Sequence, residues 1–165
     1  MHATVIRLVA RAAETIATEA PASKDGSETG GILLGHDRGE TITVTRAGDP
    51  GPNADRRPDG FLRDLAHSRR LADEAYDEDG SVWVGEWHTH LAGAGVPSRT
   101  DEETYGRLLA DPDLRFTRLA SIIVFPCPEH GWSELVLAAW TADADGIHDA
   151  RLEVVEAPDH EADNG

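Results

Sequence analysis

A chain of 165 residues with 39% hydrophobic content suits one globular domain, long enough to bury a core. Its formal charge of −16, from 15 basic against 31 acidic residues, weighs against nucleic acid as a partner, since phosphate binding needs clustered Lys and Arg. No apolar run approaches the ~20 residues needed to cross a bilayer, the start does not read as a signal peptide, and the single cysteine, Cys127, excludes an internal disulfide; these features predict a cytoplasmic protein with no membrane partner.

Residues 4–20 carry a helical apolar stripe (Val5, Leu8, Val9, Ala12, Ala13, Ile16) with room for a short strand at its start. Residues 21–27 read as a loop by composition. Glu28 then stands at the entrance of a buried strand, Gly30-Gly31-Ile32-Leu33-Leu34-Gly35-His36. Glu40 to Arg46 alternates as the next strand, with Gly39 in the hairpin turn. Residues 47–60 show no periodicity and are read as a long loop of the kind that often serves function. A helix is predicted over 61–77, ended by Asp77-Glu78-Asp79-Gly80, and a buried strand over 81–88. Ser98 caps a short helix running to about Ala110. Strands follow at 118–125 and 133–140, and residues 151–156 are expected to pair with the latter across the Asp143–Gly146 turn. The order of elements predicts an α/β fold, a mixed central sheet flanked by helices. One domain is expected over 1–156, with residues 157–165 forming an acidic, frayed tail.

The stretch Gly85-Glu86-Trp87-His88-Thr89-His90 concentrates the chemistry. On a strand, residues two apart face the same way, so His88 and His90 project together. Asp101 follows eleven residues after His90, past a Gly/Pro loop that brings it back toward them. Two imidazoles and one carboxylate make a usual catalytic zinc set, because the fourth tetrahedral position stays open for water. Histidines two apart also arise by chance, and Ser98 with Asp101 also reads as a capping pair. A capped first turn would in any case hold Asp101 in place. Other candidates are weaker. Cys127 and His130 have no second pair and read as a strand-end turn. His67 reads as a solvated helix residue. Glu86 shares the face of His88 and either braces it or is a rim residue without consequence. Trp83, Trp87, Trp132 and Trp140 read first as packing residues, with Trp87 also a candidate for substrate contact.

Glu28 joined to Gly30-Gly31 and Leu33-Leu34-Gly35 carries the reading further. With His88-Thr89-His90, seven residues, Ser98, two residues and Asp101, the chain resembles the JAMM (JAB/MPN-domain) metalloproteases, in particular their prokaryotic members. Their signature is a glutamate, then His-Ser/Thr-His, seven residues, Ser, two residues, Asp. Leu91 departs from the proline that many members carry, and Gly93 and Gly95 are expected to lend the loop mobility. The resemblance implies the MPN/JAB, cytidine-deaminase-like sandwich. It implies zinc held by His88, His90 and Asp101, Glu28 as general base, and Ser98 as donor to the oxyanion. It further implies a peptidase or isopeptidase acting after the tail of a ubiquitin-like or sulfur-carrier protein, with E1-like and E2-like partners. Two rivals remain: another zinc amide hydrolase, RadC-like or acting on a small amide, and an MPN scaffold without catalysis.

Overall fold

The stripe over 4–20 divides in two. Strand β1 (Val5–Val9) buries Ile6 and Leu8, and helix α1 (Ala10–Glu19) follows at once, burying Ala12 and Ile16. The change of period from two to nearly four marks where the strand ends. The computed structural model describes residues 3–156, so the tail expected at 157–165 lies outside the described residues. The loop expected at 21–27 opens instead as a 3-10 helix, Ala20–Asp25. Gly26 ends it at φ 86°, a left-handed conformation that glycine adopts without steric cost.

Strands β2 (Gly30–Asp37) and β3 (Thr41–Ala47) form the expected antiparallel hairpin. The stretch expected to be loop contains most of a small second sheet, β4 (Asp55–Arg57) against β5 (Gly60–Leu62). Strands of three residues are too short to show alternation, which is why the sequence hides them. Phe61 and Leu62 belong to β5, so helix α2 (Leu65–Asp79) starts later than the predicted residue 61. The Asp64 side chain caps it by accepting the His67 N–H.

Strand β6 (Val82–Thr89), helix α3 (Arg99–Ala110) and strand β7 (Arg118–Cys127) form a parallel crossover unit. Strand β8 (Gly131–Asp143) turns at the expected place, but into a short partner of its own, β9 (Gly146–Asp149). Strand β10 (Arg151–Val155) does not pair with β8 as the sequence suggests. The Ala150 N–H still bonds to Ala139, and the Arg151 N–H then bonds to Thr4. From there β10 runs parallel to β1. The sheet order is β10-β1-β3-β2-β6-β7-β8-β9.

Helix α1 covers one face, where Ile6, Leu8, Ile16, Trp87, Ile122 and Val124 pack together. On the other face, α2 covers Ile32 and Leu34 while α3 covers Leu119, and Trp83 touches both groups. The fold is therefore the α/β sandwich that the element order predicts. One irregularity matters for the site. Leu33 pairs with Gly85 but Leu34 pairs with Trp83, so Val84 is an extra residue in β6. This bulge puts Val84 and Trp87 on the α1 side, and Trp83 on the α3 side.

Candidate active site

Beyond the bulge, Glu86, His88 and His90 alternate toward the α3 face at the end of β6. The intervening residues fix the strand end from behind. Thr89 is fully buried; its N–H donates to the Thr29 carbonyl at 2.8 Å and its Oγ1 accepts the Thr29 N–H at 2.9 Å. The His90 N–H donates to the Val124 carbonyl at 2.9 Å, so the second histidine is also held by the backbone.

The loop after His90 is less free than its glycines suggest. Gly95 has φ 59°, and a Cβ there would collide with the Phe125 ring. Its carbonyl accepts the Trp140 indole N–H at 2.9 Å. The loop delivers the chain to Ser98, which caps α3 as expected. Ser98 Oγ accepts the Asp101 N–H at 3.1 Å, and Asp101 Oδ2 accepts the Ser98 N–H at 2.8 Å. The reciprocal cap fixes Asp101 in the first turn, facing both histidines.

There the three side chains meet. His88 Nε2 lies 3.1 Å from Asp101 Oδ1, and His90 Nε2 lies 2.9 Å from Oδ2. The two Nε2 atoms are 3.2 Å apart. Ligand atoms bonded to one tetrahedral zinc at 2.0–2.1 Å stand about 3.3 Å from one another. Three donors at this spacing fit a shared divalent ion, and His88, His90 and Asp101 are the group among the described residues that could hold one.

The electrostatics agree. Burial alone would lower the His88 imidazole, but Glu86 and Asp101 hold it well above its usual range. Burial would raise the Asp101 carboxyl, yet hydrogen bonds from His88 and His90 hold it well below the carboxylate range. Both shifts reflect one arrangement, with carboxylate oxygens set against the histidine nitrogens, a charge distribution suited to holding a cation.

Glu28 enters this cleft from β2. Gly30 pairs with His88 and Gly31 with Trp87. A Cβ on Gly30 would collide with the Trp87 carbonyl, and one on Gly31 with the Gly48 carbonyl, so only glycine allows this close approach. The β4 strand clamps the backbone of Glu28: its N–H donates to Arg57 O at 2.8 Å, and its carbonyl accepts from Arg56 Nε at 3.1 Å. Its side chain shares one small cavity with His88 and Asp101, and a shallower one with His90 and Ser98. Burial pushes the Glu28 carboxyl up to about 7, with His88 and His90 opposing and Asp101 and Asp59 adding to the rise. The structure thus brings together all five residues singled out in the sequence, with Ser98 exposed at the rim and Glu28 buried.

Glu86 turns out to brace His88: its oxygens lie 3.0 and 3.1 Å from His88 Nδ1, and Ser121 Oγ donates to it at 2.9 Å. Trp87 is fully buried and donates to the Gly48 carbonyl at 2.9 Å, so it packs the core and does not face a substrate. His67 is not solvated; it contacts Asp49 at 2.8 Å. The sequence gives no reason to single out Tyr105 or Arg63. Ser121, alone among Ala120, Ile122, Ile123 and Val124, carries the one available signal, since a buried hydroxyl requires a partner. Arg63 stacks its guanidinium 5.3 Å over Trp83, on the Glu86 side of the sheet.

The chain is similar to several known proteins. A profile built from prokaryotic homologs of the JAB domain matches residues 9–142. A protein of Escherichia coli (strain TW11681) named CD-NTase/cGAS isopeptidase is 30% identical over 81 residues, 48% of this chain and 52% of that protein. A protein of the same name from Vibrio cholerae serotype O1 is 30% identical over 82 residues, 48% of this chain and 53% of that protein. The aligned stretches thus span about half the length of these relatives. The solution structure of protein DSY2949 from Desulfitobacterium hafniense superposes with a TM-score of 0.68 at 23% identity, covering 94% of this chain and 97% of that one, a likeness of fold. With the profile matching most of the chain, this protein belongs to the prokaryotic JAB-domain family.

Proposed function

We propose that this chain is a zinc-dependent isopeptidase or peptidase whose catalytic domain spans residues 1–156. The observation that carries the proposal is the meeting of His88, His90 and Asp101 in the cleft that Glu28 lines. Bound there, zinc supplies Lewis acidity, polarising the scissile carbonyl and acidifying water. The chain's own residues do the rest. His88, His90 and Asp101 would hold the ion. Glu28 takes the proton from the attacking water and passes it to the leaving amine. Burial raises this carboxyl in the metal-free cleft, and a bound cation would draw it back toward the ionised form that a general base needs. The Ser98 hydroxyl spends its oxygen on the Asp101 N–H. Its proton remains available for the oxyanion, a contribution worth roughly 10²–10³ in rate.

The substrate proposed is the amide bond after the tail of a ubiquitin-like or sulfur-carrier protein. The two bacterial relatives are named as isopeptidases of CD-NTase/cGAS. A conjugate of a ubiquitin-like tail on a CD-NTase-type protein is therefore the first substrate to try, with E1-like and E2-like enzymes as its makers. No helix among the described residues is long and apolar enough to cross a membrane, and a cytoplasmic setting is part of the proposal. The test is cleavage of such conjugates and of ubiquitin-like fusions by the purified chain. Release of the intact tail, stopped by strong chelators and indifferent to serine and cysteine protease inhibitors, is the expected result. Equal cleavage of unstructured peptides would point to a general peptidase, and no cleavage by zinc-loaded protein to a scaffold.

A further inference from the structure

The metal cluster joins two elements that the chain connects only through the 91–98 loop. His88 and His90 come from β6, while Asp101 comes from α3. The apolar contacts of Leu108 with Leu119 draw α3 onto the sheet, but such contacts have no direction and do not set a register. Directional bonds do, and one set runs behind the cluster. Tyr105, one helical turn after Asp101, is buried with its hydroxyl 2.6 Å from Ser121 Oγ on β7. Ser121 commits its only proton to Glu86 Oε1 at 2.9 Å, so the phenol must be the donor to Ser121. Glu86 lies 3.0 Å from His88 Nδ1, and His88 Nε2 returns to Asp101 Oδ1 at 3.1 Å. The bonds form a closed circuit through α3, β7 and β6.

We propose that Tyr105 is a positioning residue: its hydroxyl, acting through Ser121 and Glu86, fixes α3 against β6 and so sets the separation of Asp101 from His88. It rests on the reading that His88, His90 and Asp101 hold a metal, and its reach is affinity and coordination geometry rather than the chemical step. Tyr105→Phe keeps the ring and removes only the donor.

The test measures Zn²⁺ affinity of the metal-stripped full chain by competition with a chromophoric chelator, and the visible spectrum of the Co²⁺-loaded protein. Tyr105→Phe should bind Zn²⁺ 10–100-fold more weakly, the usual range for a lost outer partner, with an altered Co²⁺ spectrum. Ser121→Ala breaks the same circuit and should act alike. The double variant should be no worse than the weaker single, since the two hydroxyls act as one unit. Thr45→Val is the control: it removes another buried hydroxyl pair, Thr45–Ser81 at 2.7 Å, at the far end of β6. It should lower the melting point and leave affinity and spectrum unchanged. Wild-type affinity in Tyr105→Phe and Ser121→Ala, with affinity lost in His88→Ala, would overturn the positioning role and leave the metal site standing. Wild-type affinity in His88→Ala would overturn both. Equal weakening by Thr45→Val would also overturn it, reducing the effect to general loosening.

Discussion

Gly30 stands directly across the β2–β6 ladder from His88, and the Trp87 carbonyl fills the space where a side chain on Gly30 would begin. The strand leading from Glu28 therefore lies against the strand carrying the histidines with nothing between them. Gly30→Ala forces the two apart, and overpacking of this kind costs about 1–3 kcal/mol. At roughly 2–4 °C per kcal/mol for a domain of this size, a thermal melt should show the loss. Metal affinity should fall with it, because His88 moves. A variant that melts and binds metal like the wild type would show that the ladder yields at no cost.

Purified protein is expected to carry close to one zinc per chain, and His88→Ala or Asp101→Ala to lose most of it. Each removes one of only three protein donors, too few remaining to hold the ion against water. Metal analysis of the variants checks this. Full zinc content in a His88→Ala, His90→Ala double variant would place the ion elsewhere.

Glu28→Gln separates catalysis from construction. Glu28 lines the cleft without joining the three donors, so the variant should keep its zinc and its fold. Turnover should fall by about 10²–10⁴, the typical share of general acid–base catalysis, while substrate still binds. Zinc content, melting point and kcat measured on one preparation decide the matter. Near-normal kcat with zinc in place would remove Glu28 from the reaction.

The same residue makes the metal-free protein sensitive to pH. The folded-state value of about 7 exceeds the ordinary 4.5, so the fold binds this proton more tightly than the unfolded chain does. Stability on its account is full below pH 4.5, falls as the pH rises toward 7, and stays reduced above that. At about 1.4 kcal/mol per pKa unit the penalty is at most a few kcal/mol. Glu28→Gln carries no such charge. Its melting point relative to wild type should climb between pH 5 and 7.5 and then level off. A difference that stays constant over this range would show that Glu28 ionises normally.

Much of the site could be read from spacing because its geometry is local. Two-residue alternation places His88 beside His90, and the Ser98–Asp101 pair caps its own helix, so neither depends on distant chain. The partner of β10 could not be read in this way. Nothing in Arg151–Val155 specifies β1 over β8, since pairing is settled by the sheet edge left open once β9 has formed. Strands β4 and β5 escaped because three residues show no period. Tyr105 lies in a helix rich in charged residues and Ser121 in an apolar-looking strand, and the two meet only across the α3–β7 packing. Trp87 shows the limit of adjacency: next to His88 in sequence, it lies on the opposite side of the sheet.

The extra residue at Val84 works like a half-step in a staircase. Upstream of it, counting by twos from Trp83 would predict that Gly85, Trp87 and Thr89 face α3. Downstream, that count is reversed, and Glu86, His88 and His90 take the α3 side. Core side and reactive side are thus assigned by the length of the strand as well as by its composition. Loss of the single codon for Val84 would restore plain alternation, with Trp83, Glu86, His88 and His90 all still on the α3 side, whereas flattening the bulge with Val84 retained would force either Trp83 or the histidines to change sides. A strand flattened in that second way would keep its whole signature and have no place to assemble it. For this strand, the bulge that absorbs one residue before the motif matters as much as the motif.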